Sequence, residues 1–117
     1  MKIGKFSQMK VFTVKSVDVL DEHMQTEIHY AFGMEHHTDY VFQPRAAQRY
    51  SATIVMEDTS EVIRNVLSGS TSFPGHEFIV DDLDMDGNNI DRFRIRNGKV
   101  VRKLNRGWNW EEISWES

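Results

Sequence analysis

The chain has 117 residues, a formal net charge of −4 and no cysteine, and 39% of its residues are hydrophobic. That length suits one globular domain, residues 1–117, with a buried core, and the missing cysteines exclude disulfides, thiolate catalysis and sulfur-ligated metal centres. No apolar run reaches the roughly 20 residues of a membrane helix and the first residues lack the apolar segment of a signal peptide, so we expect no membrane association and a cytoplasmic location.

The first predicted element is a strand over residues 9–20, which are rich in Val and Phe. Its apolar residues change face between Val14 and Val17. Because a one-residue slip moves every later side chain to the other face of a sheet, we predict a β-bulge near Lys15 and Ser16.

The next part of the chain is predicted as strands with one short helix. Residues 24–32 alternate between two sets of side chains, which predicts a strand, and residues 38–43 resume that alternation. Pro44 suits the first turn of a short helix over residues 44–50. Residues 51–56 fit either a helix or a strand, and their β-branched side chains favour the strand.

The clearest predicted helix covers residues 59–68. Asp58 or Thr59 can cap its first turn, and Gly69 is predicted to end it. Its apolar side chains form one stripe, made of Val62, Ile63, Val66 and Leu67. Residues 76–105 then predict three strands joined by tight turns at D-G-N-N and N-G.

Taken in order, these elements predict an α+β fold. Most strands follow one another through hairpins, and hairpin order is typical of an antiparallel sheet. We therefore expect a curved, mostly antiparallel sheet of about six or seven strands with one or two helices packed on it.

Residues 82–87, D-L-D-M-D-G, match the start of a calcium-binding loop. Asp82, Asp84 and Asp86 are the candidate ligands, followed by the glycine that such loops need at their sixth position. The twelfth position, which should supply a bidentate Glu, is Phe93, and the flanking residues predict strands where this kind of loop needs helices. The sequence therefore favours a hairpin over a metal site here.

Charge is segregated along this predicted hairpin. Residues 77–91 carry six acids and no base, and residues 92–106 carry seven bases and no acid. Opposite charges across a ladder stabilise by about 0.2–1 kcal/mol each, so we expect acids to oppose bases. The two predicted registers set Asp84 against Arg92 with Asp82 against Arg94, or Asp84 against Arg94. Because the acids neutralise part of the basic run and the pI is near 5.7, nucleic acid is not favoured as a partner.

Residues 35–39, E-H-H-T-D, form the densest cluster of groups that can bind a metal or transfer a proton. If the predicted strand continued through them, Glu35, His37 and Asp39 would share a face with Glu27 and His29. Two imidazoles beside carboxylates suit a general base or a metal site. The alternative is a solvated loop beside polar strand residues.

The end of the chain is rich in tryptophan. Trp108, Trp110 and Trp115, with Ile113, expose too much apolar surface to remain in water. They are predicted to close the core, to form a subunit interface or to line an apolar pocket.

Residues 90–108, I-D-R-F-R-I-R-N-G-K-V-V-R-K-L-N-R-G-W, resemble the last hairpin of the nuclear transport factor 2-like cone fold, as found in small polyketide cyclases. The resemblance implies a curved sheet around a cavity and a dimer formed through the sheet. The pocket Asp, His and Tyr of that family have no matching positions in this chain, so no catalytic residue is transferred.

The leading functional hypothesis is a small binding domain without a cofactor. It would associate with itself, as a dimer, or hold a small apolar ligand or a protein partner, through its sheet face and tryptophan-rich tail. The rival is a small cone-fold enzyme, an isomerase, cyclase or hydrolase, whose general base is His29 with Glu27 or His37 with Asp39. The rival requires these side chains to line a concave apolar cavity.

Overall fold

The computed structural model describes residues 10–38, 41–56, 59–83, 89–105 and 110–111. The elements in chain order are strand β1 (Lys10–Leu20), helix α1 (Glu22–Ala31), a 3-10 turn (Met34–His36), strand β2 (Gln48–Met56), helix α2 (Thr59–Ser70), and strands β3 (Glu77–Leu83), β4 (Asn89–Arg96), β5 (Lys99–Asn105) and β6 (Trp110–Glu111).

All the strands join one antiparallel sheet in the order β2-β1-β3-β4-β5-β6. The predicted α+β class is therefore confirmed. The predicted count of six or seven strands is too high if only long strands are counted. Five strands, β1 to β5, have seven or more residues each, and β6 has two. Central strand β1 lies between β2 and β3, so the sheet order departs from the chain order at this point.

Both helices cover the same face of the sheet. Core side chains alternate along the strands and meet across the ladders, as Phe12 does with Ile54 and Val80 with Phe93. Apolar residues of both helices, among them Ile28 and the α2 stripe, complete the same buried cluster. The described residues thus form two layers, and neither of their helices lies on the opposite face of the sheet.

The predicted bulge in the first strand is confirmed. The β1–β2 register shifts between Lys15 and Val19, so that three residues of β1 lie opposite Tyr50. Ser16 occupies the bulge, and its hydroxyl accepts a hydrogen bond of 2.8 Å from the backbone N–H of Tyr50. A side chain thus replaces the ladder bond that the bulge interrupts.

The strand predicted over residues 24–32 is wrong, because this segment forms α1. Asp21 caps the helix, with its carboxylate accepting from the backbone N–H of Met24 at 2.7 Å. Ile28 and Phe32 are buried four residues apart, with Met24 packed against the same core. Residues four apart form one stripe on a helix. They also share one face of a strand, so the same spacing fitted the strand prediction equally well.

The short helix predicted over residues 44–50 is also wrong. Residues 41–47 form irregular chain and a turn, and β2 already begins at Gln48. The strand favoured over residues 51–56 is confirmed. No regular strand occurs at residues 41–43, and the central part of the strand predicted over 38–43 lies outside the described residues.

Helix α2 is confirmed, but it continues through Gly69 to Ser70. Gly69 is buried, and a Cβ placed there would lie 2.7 Å from Cε1 of Phe32 and 2.9 Å from the carbonyl oxygen of Ala31. This glycine therefore permits close approach of the two helices and does not end α2.

The three strands β3, β4 and β5 are confirmed, and so is the N-G turn. Asn97 and Gly98 both have positive φ, 50° and 80°, as a two-residue hairpin turn requires. The predicted D-G-N-N turn lies largely outside the described residues.

The predicted register of the charged hairpin is wrong. Asp81 opposes Arg92, Asp82 opposes Asp91, and Arg94 opposes Ile79. Phe78 and Val80 of β3 point into the core, and alternate residues of a strand share a face. Asp82 is therefore on the core face of the sheet. An acidic strand does pair with a basic one, but burial decides which charges meet.

Candidate functional site

The helix-free face of the sheet carries most of the described basic side chains of the strands. Six cations line two shallow concavities on it: Lys15, Arg49, Arg92, Arg94, Arg96 and Arg102. We call these six residues the basic face. They come from β1, β2, β4 and β5, and the antiparallel ladders bring them together.

Asp81 on β3 organises one part of the basic face. Its side chain is buried, and both carboxylate oxygens accept hydrogen bonds from Arg92, at 2.6 Å from Nε and 3.0 Å from a terminal nitrogen. Lys15 lies 3.8 Å from the same carboxylate. Hydrogen bonding by Asp81 raises the pKa of Arg92 above its ordinary value, although burial acts in the opposite direction. One acid is thus shared by two cations.

Glu77 plays the same role at the other end of β3. It forms an ion pair with Arg94, and Arg96 lies 3.8 Å from its second oxygen. Arg94 lines both concavities, and its Nε atom is buried without a hydrogen-bond acceptor among the described residues. The Arg94 side chain therefore lines both concavities and carries one buried donor that no described acceptor satisfies.

The larger concavity has a volume of about 370 Å³ and lies over β1, β3 and β4 with Arg49 of β2 at its side. Val17 and Ile79 form the apolar part of its floor. Nε of Arg49 donates to the carbonyl oxygen of Val17 at 2.8 Å, which holds this side chain across the β1 bulge. No carboxylate of the described residues lies within ion-pair distance of Arg49.

Strand β2 forms one edge of the sheet. Its nine residues, Q-R-Y-S-A-T-I-V-M, contain one charged side chain and no proline. The N–H of Tyr50 faces β1, because it bonds to Ser16. Since alternate residues of a strand direct their backbone groups to opposite sides, those of Ser51, Thr53 and Val55 face away from the sheet.

The candidate His29 lies in the core, where its side chain is 1% exposed. Nδ1 is 2.9 Å from the hydroxyl oxygen of Tyr50, and the imidazole stacks on Phe42 at a centroid distance of 4.1 Å. Burial lowers the pKa of His29 below its ordinary value, against a smaller opposing effect of Glu35. In this arrangement the imidazole is a packed core group that a substrate cannot reach.

The structure does not bring the other predicted proton-transfer residues to His29. Glu27 is exposed on α1 and pairs with His23, 3.3 Å away. His37 lies 3.5 Å from Glu61 of α2. Asp39 lies outside the described residues. The shared face expected for these groups depended on a strand that is in fact a helix, so helical spacing separates Glu27 from His29.

Of the candidate calcium ligands, only Asp82 is described. It is buried and pairs with Lys10 at 3.3 Å, while Asp84 and Asp86 lie outside the described residues. The part of the chain that is described contains no group of three or more His, Asp or Glu side chains arranged to hold a metal ion.

Most of the predicted tryptophan contact surface lies outside the described residues. Trp110 is described only as a backbone position of β6 opposite Leu104. Trp108, Ile113 and Trp115 lie outside the described residues. Their predicted role at an interface or pocket stays a prediction.

Sequence analysis missed Lys15 and Arg49 as members of the basic face. The Arg and Lys run of residues 92–106 was visible, but its partners depend on β1 pairing with β3 and β2. No local pattern signals such pairing.

Comparisons with protein-family models, with curated proteins and with solved structures returned no match. The resemblance of residues 90–108 to the cone-fold hairpin therefore stays a prediction. No helix among the described residues is long and apolar enough to cross a membrane.

Proposed function

We propose that this chain is a binding domain that acts as a homodimer, joined by the β2 edges of two copies. The observation that carries the proposal is the position of β2, a nine-residue strand at the end of the sheet whose outer side is not paired with any described strand. The opposite end of the sheet is extended by β6.

The β2 edge lacks the features that normally prevent edge-to-edge pairing. Natural edge strands are short, bulged toward solvent, or carry several charges or a proline. Strand β2 has Arg49 as its one charge and no proline, and Thr53, Ile54 and Val55 are β-branched residues that favour extended chain. An edge of this length and composition favours pairing with another strand.

Exposed apolar side chains surround this edge. The large hydrophobic residues that remain exposed among the described residues are Val19, Tyr30, Val41 and Val55. Val55 is on β2, Val19 is opposite Arg49 in the β1–β2 ladder, Tyr30 is on α1, which packs on β2, and Val41 is in the loop before β2. Their distribution supports an interface on this side of the molecule.

A second copy fits the edge in an antiparallel, two-fold arrangement. With the axis at Ala52, Ser51 opposes Thr53 of the second copy and Arg49 opposes Val55. The outward backbone groups of these residues would then form about eight hydrogen bonds. No like charges are opposed in this register, so no cross-strand charge pair disfavours self-pairing.

Size-exclusion chromatography with light scattering tests the dimer. We expect a mass about twice the 13.7 kDa of the monomer. Thr53→Pro removes one outward N–H and should give a folded monomer, because proline is tolerated where the N–H faces away from the sheet. Thr53→Ala is the matched control, since it shortens the same side chain but keeps the N–H, and it should stay dimeric.

Two results would contradict the proposal. One is a wild-type protein that remains a monomer at submillimolar concentration. The other is a Thr53→Pro variant that is folded by circular dichroism and still dimeric, because the interface would then lie elsewhere.

A further inference from the structure

We propose that the basic face binds an acidic protein segment, lying in extended conformation across the helix-free side of the sheet. The proposal rests on the charge and geometry of this face and does not depend on the dimer.

The first support is an excess of positive charge. The six cations of the basic face surround two acids, Asp81 and Glu77, each of which is shared by two cations. Their formal sum is +4, whereas the whole chain carries −4, so the remainder of the chain carries −8. Charge concentrated in this way on one face of an acidic protein favours an anionic partner at that face.

The second support is the type of cation. Five of the six are arginines, whose planar guanidinium groups match a carboxylate with two parallel hydrogen bonds. Arg92 already shows this geometry with Asp81. Arg49 has no acidic partner among the described residues, and Nε of Arg94 is buried without an acceptor beside the larger concavity. The terminal guanidinium nitrogens of Arg49, which lines the larger concavity, can therefore donate to a bound carboxylate.

The third support is the width of the basic face across the strands. From β2, which carries Arg49, to β5, which carries Arg102, the sheet crosses four interstrand spacings, or roughly 19 Å. A single carboxylate or phosphate contacts only a fraction of that width. An extended segment of about six residues spans it at ~3.3 Å per residue, and its alternate side chains face the sheet.

A nucleic acid fits this face less well. Sheets that bind single-stranded nucleic acid stack bases on exposed aromatic rings. The Phe and Tyr rings whose positions are described lie in or against the core, apart from Tyr30 on α1. A long polyanion would also meet the acidic remainder of the molecule, whereas a short acidic segment is confined to the basic face.

Fluorescence anisotropy with synthetic probes tests the proposal. The probe is a fluorescein-labelled peptide of twelve residues that alternates glutamate with threonine. We expect saturable binding that weakens as salt rises, and no binding of the same peptide with glutamine in place of glutamate. A labelled oligothymidylate of twelve nucleotides should bind more weakly than the acidic peptide.

Variants locate the binding surface. Arg49→Gln and Arg96→Gln should each weaken peptide binding about threefold to fivefold, as expected for loss of one solvent-accessible charge contact. Arg64→Gln is the matched control, because it removes one exposed arginine from α2 on the other side of the sheet, and it should change affinity less than twofold.

The outcomes separate this proposal from the dimer. If the Thr53→Pro monomer binds the peptide as the wild type does, the acidic-segment proposal stands whatever the oligomeric state. Equal weakening by Arg64→Gln, tighter binding of oligothymidylate, or no saturation at low salt would each overturn it.

Discussion

Replacing Gly69 with alanine tests how closely α1 and α2 approach each other. In an exposed helix this change stabilises a protein by roughly 0.5–1 kcal/mol, because alanine restricts the unfolded chain. In α2 the new methyl group would lie 2.7 Å from Cε1 of Phe32 and 2.9 Å from the carbonyl oxygen of Ala31. Both distances are well below van der Waals contact.

Neither neighbour can move away easily. The Phe32 ring is fully buried and packs edge to face against Phe78 and Tyr50, with centroid distances of 4.9 and 6.3 Å. The carbonyl of Ala31 belongs to the backbone of α1. Overpacking of this kind costs about 1–3 kcal/mol, which exceeds the helix-propensity gain. We therefore expect a net loss of about 1–2 kcal/mol in the free energy of unfolding.

Differential scanning calorimetry measures this loss. With an unfolding entropy of about 2.1 cal/mol/K per residue over 117 residues, a 1–2 kcal/mol loss lowers Tm by about 4–8 °C. Gly75→Ala is the matched control, because no heavy atom lies within 4 Å of an added Cβ there, and its Tm should not fall. A Gly69→Ala protein as stable as the wild type would refute the close packing of α1 on α2.

Two further predictions concern buried polar groups. Because burial lowers the pKa of His29, its neutral form is favoured in the folded protein, and stability present above pH 6.5 should be lost as pH falls from there toward the folded-state pKa. The slope contributed is at most about 1.4 kcal/mol per pH unit, and urea unfolding should show a smaller acid-side loss for His29→Gln than for the wild type. An identical pH dependence in both proteins would argue against the buried imidazole. Asp81→Asn should lose about 1.5–3 kcal/mol, since it weakens the paired hydrogen bonds with Arg92, whereas Glu77→Gln, whose ion pairs are more exposed, should lose at most about 1 kcal/mol. The reverse ranking in urea unfolding would show that Asp81 does not organise the face.

The spacing of apolar residues predicted an element correctly where it fitted either a helix or a strand but not both. The β1 bulge, helix α2, strand β2 from residue 51 onward and the three strands β3 to β5 were all predicted from apolar spacing and turn residues. Helix α1 was missed because Met24, Ile28 and Phe32 satisfy a two-residue and a four-residue repeat equally. Asp21 caps α1, but aspartate is also common in turns, so this residue did not separate the helix from a turn before a strand.

The charged hairpin shows a second limit of predicting structure from this sequence. Its registers were predicted from cross-strand charge, which contributes up to about 1 kcal/mol per pair, whereas burial of a side chain such as Phe78 contributes about 1.5–3 kcal/mol. Burial of Phe78 and Val80 decided which face of the sheet each β3 side chain takes, and Asp81 therefore lies opposite Arg92. The site could not be assembled from sequence because Lys15 and Arg49 reach it through strand pairings distant along the chain.

The central position of β1 has a consequence for the order in which the protein folds. Its β3 partners follow much later in the chain, as Ser16 pairs with Phe78 and Val11 with Leu83. During synthesis, β1, α1 and β2 therefore leave the ribosome while one side of β1 still lacks its strand. Folding that depends on such distant contacts is slow, so the nascent chain presents two open strand edges until β3 is made. Once β3 has docked on β1, both sides of β1 are paired, and β2 remains at an edge of the finished sheet.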